Sequence, residues 1–148
     1  MQPLLVGLKN PHPGEPLAPR PVGCTGWRIF QMLQPMSEED YLGGFARINL
    51  WDAGVAPTLE AIASVHDAVI LGDEVWRALR FNSRTPKLGA SSFGEHTMLY
   101  RVPHPSGRNL WYNDSQNRRA VSNLLRSLVD EHVDYGRREE VDGVRHSR

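Results

Sequence analysis

The segment Val102-Pro103-His104-Pro105-Ser106-Gly107-Arg108-Asn109 directly follows the apolar run Thr97-Met98-Leu99-Tyr100-Arg101. A strand over that run delivers an imidazole to a sharp turn bounded by Pro and Gly. In an open α/β sheet, ligands bind outside the carboxyl ends of the strands. The Ser and Gly of the turn also leave backbone N–H groups that can face an anion. Two asparagines fall at equivalent places, Asn10 after the first β-type run and Asn49 near the end of the second. An amide offers both a donor and an acceptor but cannot take up a proton as a base. Three polar side chains converging on one rim make a candidate site, not yet a reaction.

The elements that must position them are four short β-type runs, over residues 3–8, 45–51, 68–72 and 96–102. The first and third are nearly continuously apolar, as expected of strands covered on both faces. Helix patterns separate them. Trp27, Ile29, Phe30 and Leu33 fall on one side of a helix stopped by Pro35, with Trp27 expected in the core. Ser37 precedes an acidic first turn, Thr58 and Asp73 stand as candidate caps, and Asp114 or Ser115 begins the clearest helix. That last helix has an apolar face of Ala120, Val121, Leu124, Leu125, Leu128 and Val129. Strands alternating with helices imply parallel pairing through right-handed crossovers. The expectation is a three-layer α/β/α sandwich with a four-stranded parallel sheet over residues 1–136, followed by a charged, flexible tail over 137–148. Residues 10–26 hold five prolines and three glycines, a long loop of the kind that often carries function.

Composition narrows the classes. The chain has 148 residues, 40% hydrophobic and 23% charged, enough for one domain with a real core. No apolar run approaches the ~20 residues of a bilayer span, and the start lacks the basic region of a signal peptide. A soluble, cytoplasmic monomer is expected, with a nucleoid-associated or viral setting also compatible. The lone Cys24 excludes an internal disulfide or a Cys-rich zinc site, and the histidines show no ligand spacing, so no metal is expected. Cys24 reads as a small half-buried residue rather than a catalytic thiol. Formal net charge is zero, yet fifteen of the seventeen basic residues are Arg, the side chain suited to bidentate phosphate contacts.

The hexapeptide from His104 to Asn109 resembles the second signature motif of the uracil-DNA glycosylase superfamily, a His-Pro-Ser turn after the last strand. The His-Pro-Ser-Pro-Arg-Asn form of its single-strand-selective monofunctional branch differs only at Gly107, and the mismatch-specific branch carries Pro-Ser-Gly there. The first motif of both branches, Gly-x-Asn-Pro-Gly, is similar to Gly7-Leu8-Lys9-Asn10-Pro11 with one residue inserted. Asn49 matches the strand-two asparagine that reads the base edge. The resemblance spans Leu4 to about Leu128.

What the resemblance implies is a cofactor-free DNA glycosylase that hydrolyses the N-glycosidic bond of uracil or a 5-substituted uracil, leaving an abasic site. Asn10 and His104 are then catalytic: Asn10 orients a water toward C1′, and His104 stabilises the departing pyrimidine anion. Asn49 binds the base, and His12, between two prolines, is a candidate at the pocket mouth. Ser106, Gly107, Arg108 and Asn109 face the DNA, with Arg108 a phosphate contact or a wedge filling the space of the flipped base, at a cost of a few kcal/mol for unstacking. Lys9 alone keeps a Schiff-base step open. Two other classes fit the same residues: a non-catalytic nucleic-acid or protein-binding module on this fold, and a hydrolase of free modified nucleosides or nucleotides.

Overall fold

The computed structural model describes residues 1–10 and 14–142, with side-chain surroundings through residue 129. Strand β1 (Leu4–Gly7) is buried along its whole length, which its uninterrupted apolar sequence requires. It lies between β2 (Ala46–Asn49) and β3 (Asp67–Leu71) and pairs parallel with both. Strand β4 (Gly89–Phe93) and β5 (Thr97–Val102) form an antiparallel hairpin, and β5 pairs parallel with β3. The sheet order is β2-β1-β3-β5-β4.

The expected four-stranded parallel sheet is therefore corrected to five strands, of which four are parallel. The missed strand reads Gly-Ala-Ser-Ser-Phe, without one β-branched residue, and its polar composition matches loop as well as strand. Its position explains that freedom. An edge strand answers to one neighbour and to water, so it needs no apolar run.

Side-chain alternation sorts the strands into two cores. Leu5, Val69, Leu71 and Val102 point to one face, where they meet α1 (Thr25–Met32), α2 (Glu38–Gly44) and α6 (Ser115–Asp142) through Ile29, Tyr41, Val121 and Leu125. Leu4, Val6, Ala68, Ile70 and Leu99 point to the other, against α3 (Leu50–Ala53), α4 (Val55–Ala63) and α5 (Asp73–Ala78) through Leu50, Ile62, Val75 and Trp76. Helices thus cover both faces of the sheet. Helix α6 runs through Gly136 to Asp142; residues 143–148 of the expected tail lie outside the described residues.

Two expected caps move. Helix α4 starts at Val55 after Gly54, so Thr58 is a buried interior residue and not its cap. Pro57 reads as a breaker in the sequence, but in a first turn its missing N–H has no partner to lose. Helix α5 likewise starts at Asp73, with Gly72 as the capping position. Ser37 does cap α2, accepting from the Asp40 amide at 3.0 Å, and the Asp114 carboxylate accepts from the Gln116 amide at 2.8 Å.

The Pro-rich loop is pinned at Glu15, Pro16 and Leu17. The buried Tyr41 hydroxyl donates to the Leu17 carbonyl at 2.7 Å, and Arg47 reaches the Pro16 carbonyl at 3.2 Å and the Glu15 carboxylate at 3.1 Å. Burial raises the Tyr41 phenol above its ordinary value, so it stays a donor. The start of α1 presses into this loop: a Cβ on Gly26 would sit 2.1 Å from the Ala18 carbonyl oxygen. Backbone on both sides leaves no room to relax. Gly26→Ala is expected to lower stability by about 1–3 kcal/mol as an overpacked site, read from urea unfolding; an unchanged midpoint would show that the loop gives way freely.

Candidate active site

Because β1, β2, β3 and β5 run parallel, their carboxyl ends emerge on one rim. Gly7 and Asn49 are register partners there, as are Leu71 and Val102. The Gly72 amide extends the second pair by donating to the Val102 carbonyl at 2.8 Å. Residues that follow these strands must share that rim.

Asn49 is the most telling of them. It is 1% exposed, and neither its amide oxygen nor its amide nitrogen has a hydrogen-bond partner among the described residues. It caps nothing, although it immediately precedes α3. Its Oδ1 lies where a Cβ on Gly7 would be 2.5 Å away, so glycine is what lets the amide occupy this place. A buried polar group left unpaired costs about 1–3 kcal/mol.

His104 is half-buried directly after β5 and packs on Gly72. A Cβ on Gly72 would stand 3.0 Å from the His104 Cβ, and the backbone there has φ +99°, which disfavours any other residue. Burial pushes the imidazole below the ordinary histidine value of 6.5, with Glu74 opposing the shift in part. The ring is therefore neutral at pH 7, with one nitrogen a donor and the other an acceptor.

The turn is held by its own polar groups. The His104 carbonyl accepts from the Ser106 amide and from the Asn109 side chain, both at 2.9 Å. Asn109 also receives the Trp111 amide on its Oδ1 at 3.1 Å, so its side chain shapes the turn. The Tyr112 hydroxyl donates to the Pro103 carbonyl at 2.5 Å, and burial raises that phenol above its ordinary value. Ser106 is half-buried, whereas Gly107 and Arg108 are exposed. Leu110, two residues past Arg108, is 76% exposed.

Asn10 lies after β1 on the same rim, but its amide nitrogen donates to the carbonyls of Gly14 and Glu15, at 2.9 and 3.3 Å. It lines a small cavity of about 40 Å³ with Cys24 and Thr25 at the start of α1. His12 lies outside the described residues. Cys24 is half-buried and caps α1, its Sγ accepting from the Trp27 amide at 3.4 Å. Trp27, expected in the core, is only half-buried and lines a larger cleft together with Ser106 and Gly107. Lys9 lies over the exposed Trp51 ring, 5.1 Å from its centre.

Sequence reasoning missed Arg101, whose buried guanidinium donates to the Thr85 carbonyl at 2.6 Å and to Asp73 at 3.0 Å. An Arg inside an apolar strand was the available signal, and its role here is to hold α5 and residues 83–85 to β5. Among the described residues no cluster of His, Cys, Asp and Glu is placed to hold a metal ion, and no helix is long and apolar enough to cross a membrane. No protein-family model matches this chain, and neither does any curated protein or solved structure.

Two expectations follow. Asn49→Ala removes an orphaned amide rather than a bond, so stability should hold or rise in urea unfolding; a loss above about 1 kcal/mol would mean the amide is partnered. For His104, the unfolded chain takes up a proton near 6.5 while the folded chain resists until lower pH. The stability that this group contributes is then full above 6.5 and declines as pH falls through the folded value. The drop in melting temperature between about pH 7.5 and about pH 5.5 should be smaller in His104→Gln than in the parent. Equal drops would place the ring in water.

Proposed function

We propose that this chain hydrolyses the N-glycosidic bond of uracil, or of a 5-substituted uracil, flipped out of DNA, and leaves an abasic site. The observation that carries the reading is the amide of Asn49, unpaired among the described residues and buried on the rim that His104 also joins. A donor and an acceptor held without partners among the described residues match the Watson–Crick edge of a pyrimidine. The sequence resemblance to uracil-DNA glycosylases of the single-strand-selective and mismatch-specific branches supplies the reaction type.

The chemistry divides between few groups. The bond between C1′ and the base nitrogen breaks with its electron pair leaving on the base, while a water adds at C1′ and its released proton ends on the departed base anion. Positive charge grows on the sugar and negative charge on the pyrimidine. A neutral His104 N–H donates to that developing anion in a site of low dielectric. No cofactor enters the scheme. Exposed Arg108 and Leu110 are at hand to occupy the space that the flipped base vacates.

One observation favours a second reading. The Asn10 amide nitrogen is engaged by its own loop, and a chain whose Asn10 positions no water would be a base-binding module without turnover. A single assay separates the two. Excess protein is incubated with single- and double-stranded oligonucleotides carrying uracil, 5-hydroxymethyluracil or thymine, then treated with alkali. Strand breaks at one of these bases are expected, slowed about 10²- to 10³-fold by His104→Ala, as for loss of one transition-state donor, and slowed less by Asn10→Ala. Folded protein that yields no breaks with any base rules out the hydrolase.

A further inference from the structure

Between α1 and the His104 turn lies a cleft of about 590 Å³. Its walls include Trp27 and Arg28 from α1, Ser106 from the turn, Tyr112, and Arg118 and Arg119 from the start of α6. No carboxylate lines it. None of the three arginines is ion-paired among the described residues. In a chain with no net charge, this is a concentration of uncompensated positive charge at one place.

Two of the three arginines are held in place. Arg28 lies over the Trp27 ring, 5.7 Å from its centre. It also lies so close to the turn that a Cβ on Gly107 would be 2.6 Å from its Nη2. Arg118 donates to the Tyr112 carbonyl at 2.5 Å, which fixes one end of its guanidinium. Arg118 and Arg119 sit near the amino end of α6, whose first turn contains no acidic residue, and Asp114 just before it forms no ion pair with either among the described residues. Cations at the positive end of a helix are unfavourable, and an anion bound beside them relieves that.

We propose that this cleft seats the phosphodiester backbone of a single DNA strand as it passes the His104 turn. The inference rests on the nucleic-acid reading above and adds to it the residues that hold the strand. Cations on two helices, with Trp27 and Tyr112 between them, match the pairing of a charged groove with aromatic surfaces by which proteins track single strands. One bound phosphate would not need arginines so divided.

The test is fluorescence anisotropy with labelled oligodeoxycytidylate, which lacks every proposed target base, titrated at several salt concentrations. Arg118→Gln combined with Arg119→Gln should weaken binding at least about tenfold at low salt. It should also reduce the slope of log affinity against log salt by about 1.4, at about 0.7 per phosphate contact on a single strand. Arg28→Gln should weaken binding in the same direction. Arg77→Gln combined with Arg84→Gln, exposed charges outside the cleft, should change neither affinity nor slope. All five positions are replaced by an uncharged side chain of similar length, and thermal melts confirm that each variant folds.

Absence of binding by the parent protein, or unchanged affinity and slope in the α6 pair, overturns the proposal. Displacement of the oligonucleotide by deoxycytidine monophosphate at comparable concentration also overturns it, in favour of a mononucleotide site. Alkali-labile breaks and strand affinity fail separately. Arginine-dependent binding without breaks removes the hydrolase and keeps the cleft, and breaks with unchanged affinity do the reverse.

Discussion

Parallel pairing of β1 with β2 and β3, and of β3 with β5, is the constraint on which the site depends. Parallel neighbours cannot be joined by a tight turn, so each connection must travel back along the sheet. Those returns are the helices that cover both faces and make β1 fully buried. The same geometry sends every strand out at one rim. Asn49 reaches Gly7 only because β2 and β1 pair in the register Gly7↔Asn49. A slip of one residue would turn the asparagine to the other face and replace it with Ile48 or Leu50.

Around that rim, polar side chains fall into two groups by what holds them. Asn109, Tyr112, Cys24 and the Asn10 amide nitrogen make hydrogen bonds that build turns, caps and loops. Asn49, His104 and Arg28 are instead seated by steric fit against glycines, at Gly7, Gly72 and Gly107. A side chain positioned by packing keeps its donors and acceptors for something else. The first group is architecture, and the second is where a ligand has something to meet. This separation also explains the unpaired amide of Asn49, whose cost of about 1–3 kcal/mol is tolerable in a protein with two well-filled cores.

The sequence carried β1 and β3 because each is an apolar run that burial on both faces demands, it carried β2 and β5 through shorter apolar stretches, and it carried the turn at His104 because Pro and Gly punctuate it. It did not carry β4, since an edge strand of Gly, Ala and Ser has no apolar signature. It misplaced the starts of α4 and α5, where Gly54 and Gly72 cap with backbone alone and Thr58 and Asp73 offered a more familiar side chain. At the site, residue type pointed to Asn49 and His104, whereas the engagement of Asn109 and Asn10 with their own backbone depends on loop geometry that no spacing encodes. Arg28 lies about ninety residues before the adjacent Arg118 and Arg119 in the chain, and only the packing of α1 beside α6 brings the three to one cleft.

That arrangement divides the electrostatic work. On the proposed reading, the groups nearest the bond being broken are neutral. The burial that lowers the proton affinity of His104 also removes water, and a hydrogen bond to a developing anion is stronger where the effective dielectric is low. A permanent cation at the same point would attract phosphate and leaving base alike, and would bind the backbone in the base's place. Formal charge belongs farther out, where exposed arginines can meet a polyanion at little desolvation cost and never titrate in the physiological range. Neutral donors at the rim and fixed cations in the cleft thus discriminate between the charge a strand always carries and the charge a base acquires only as it leaves.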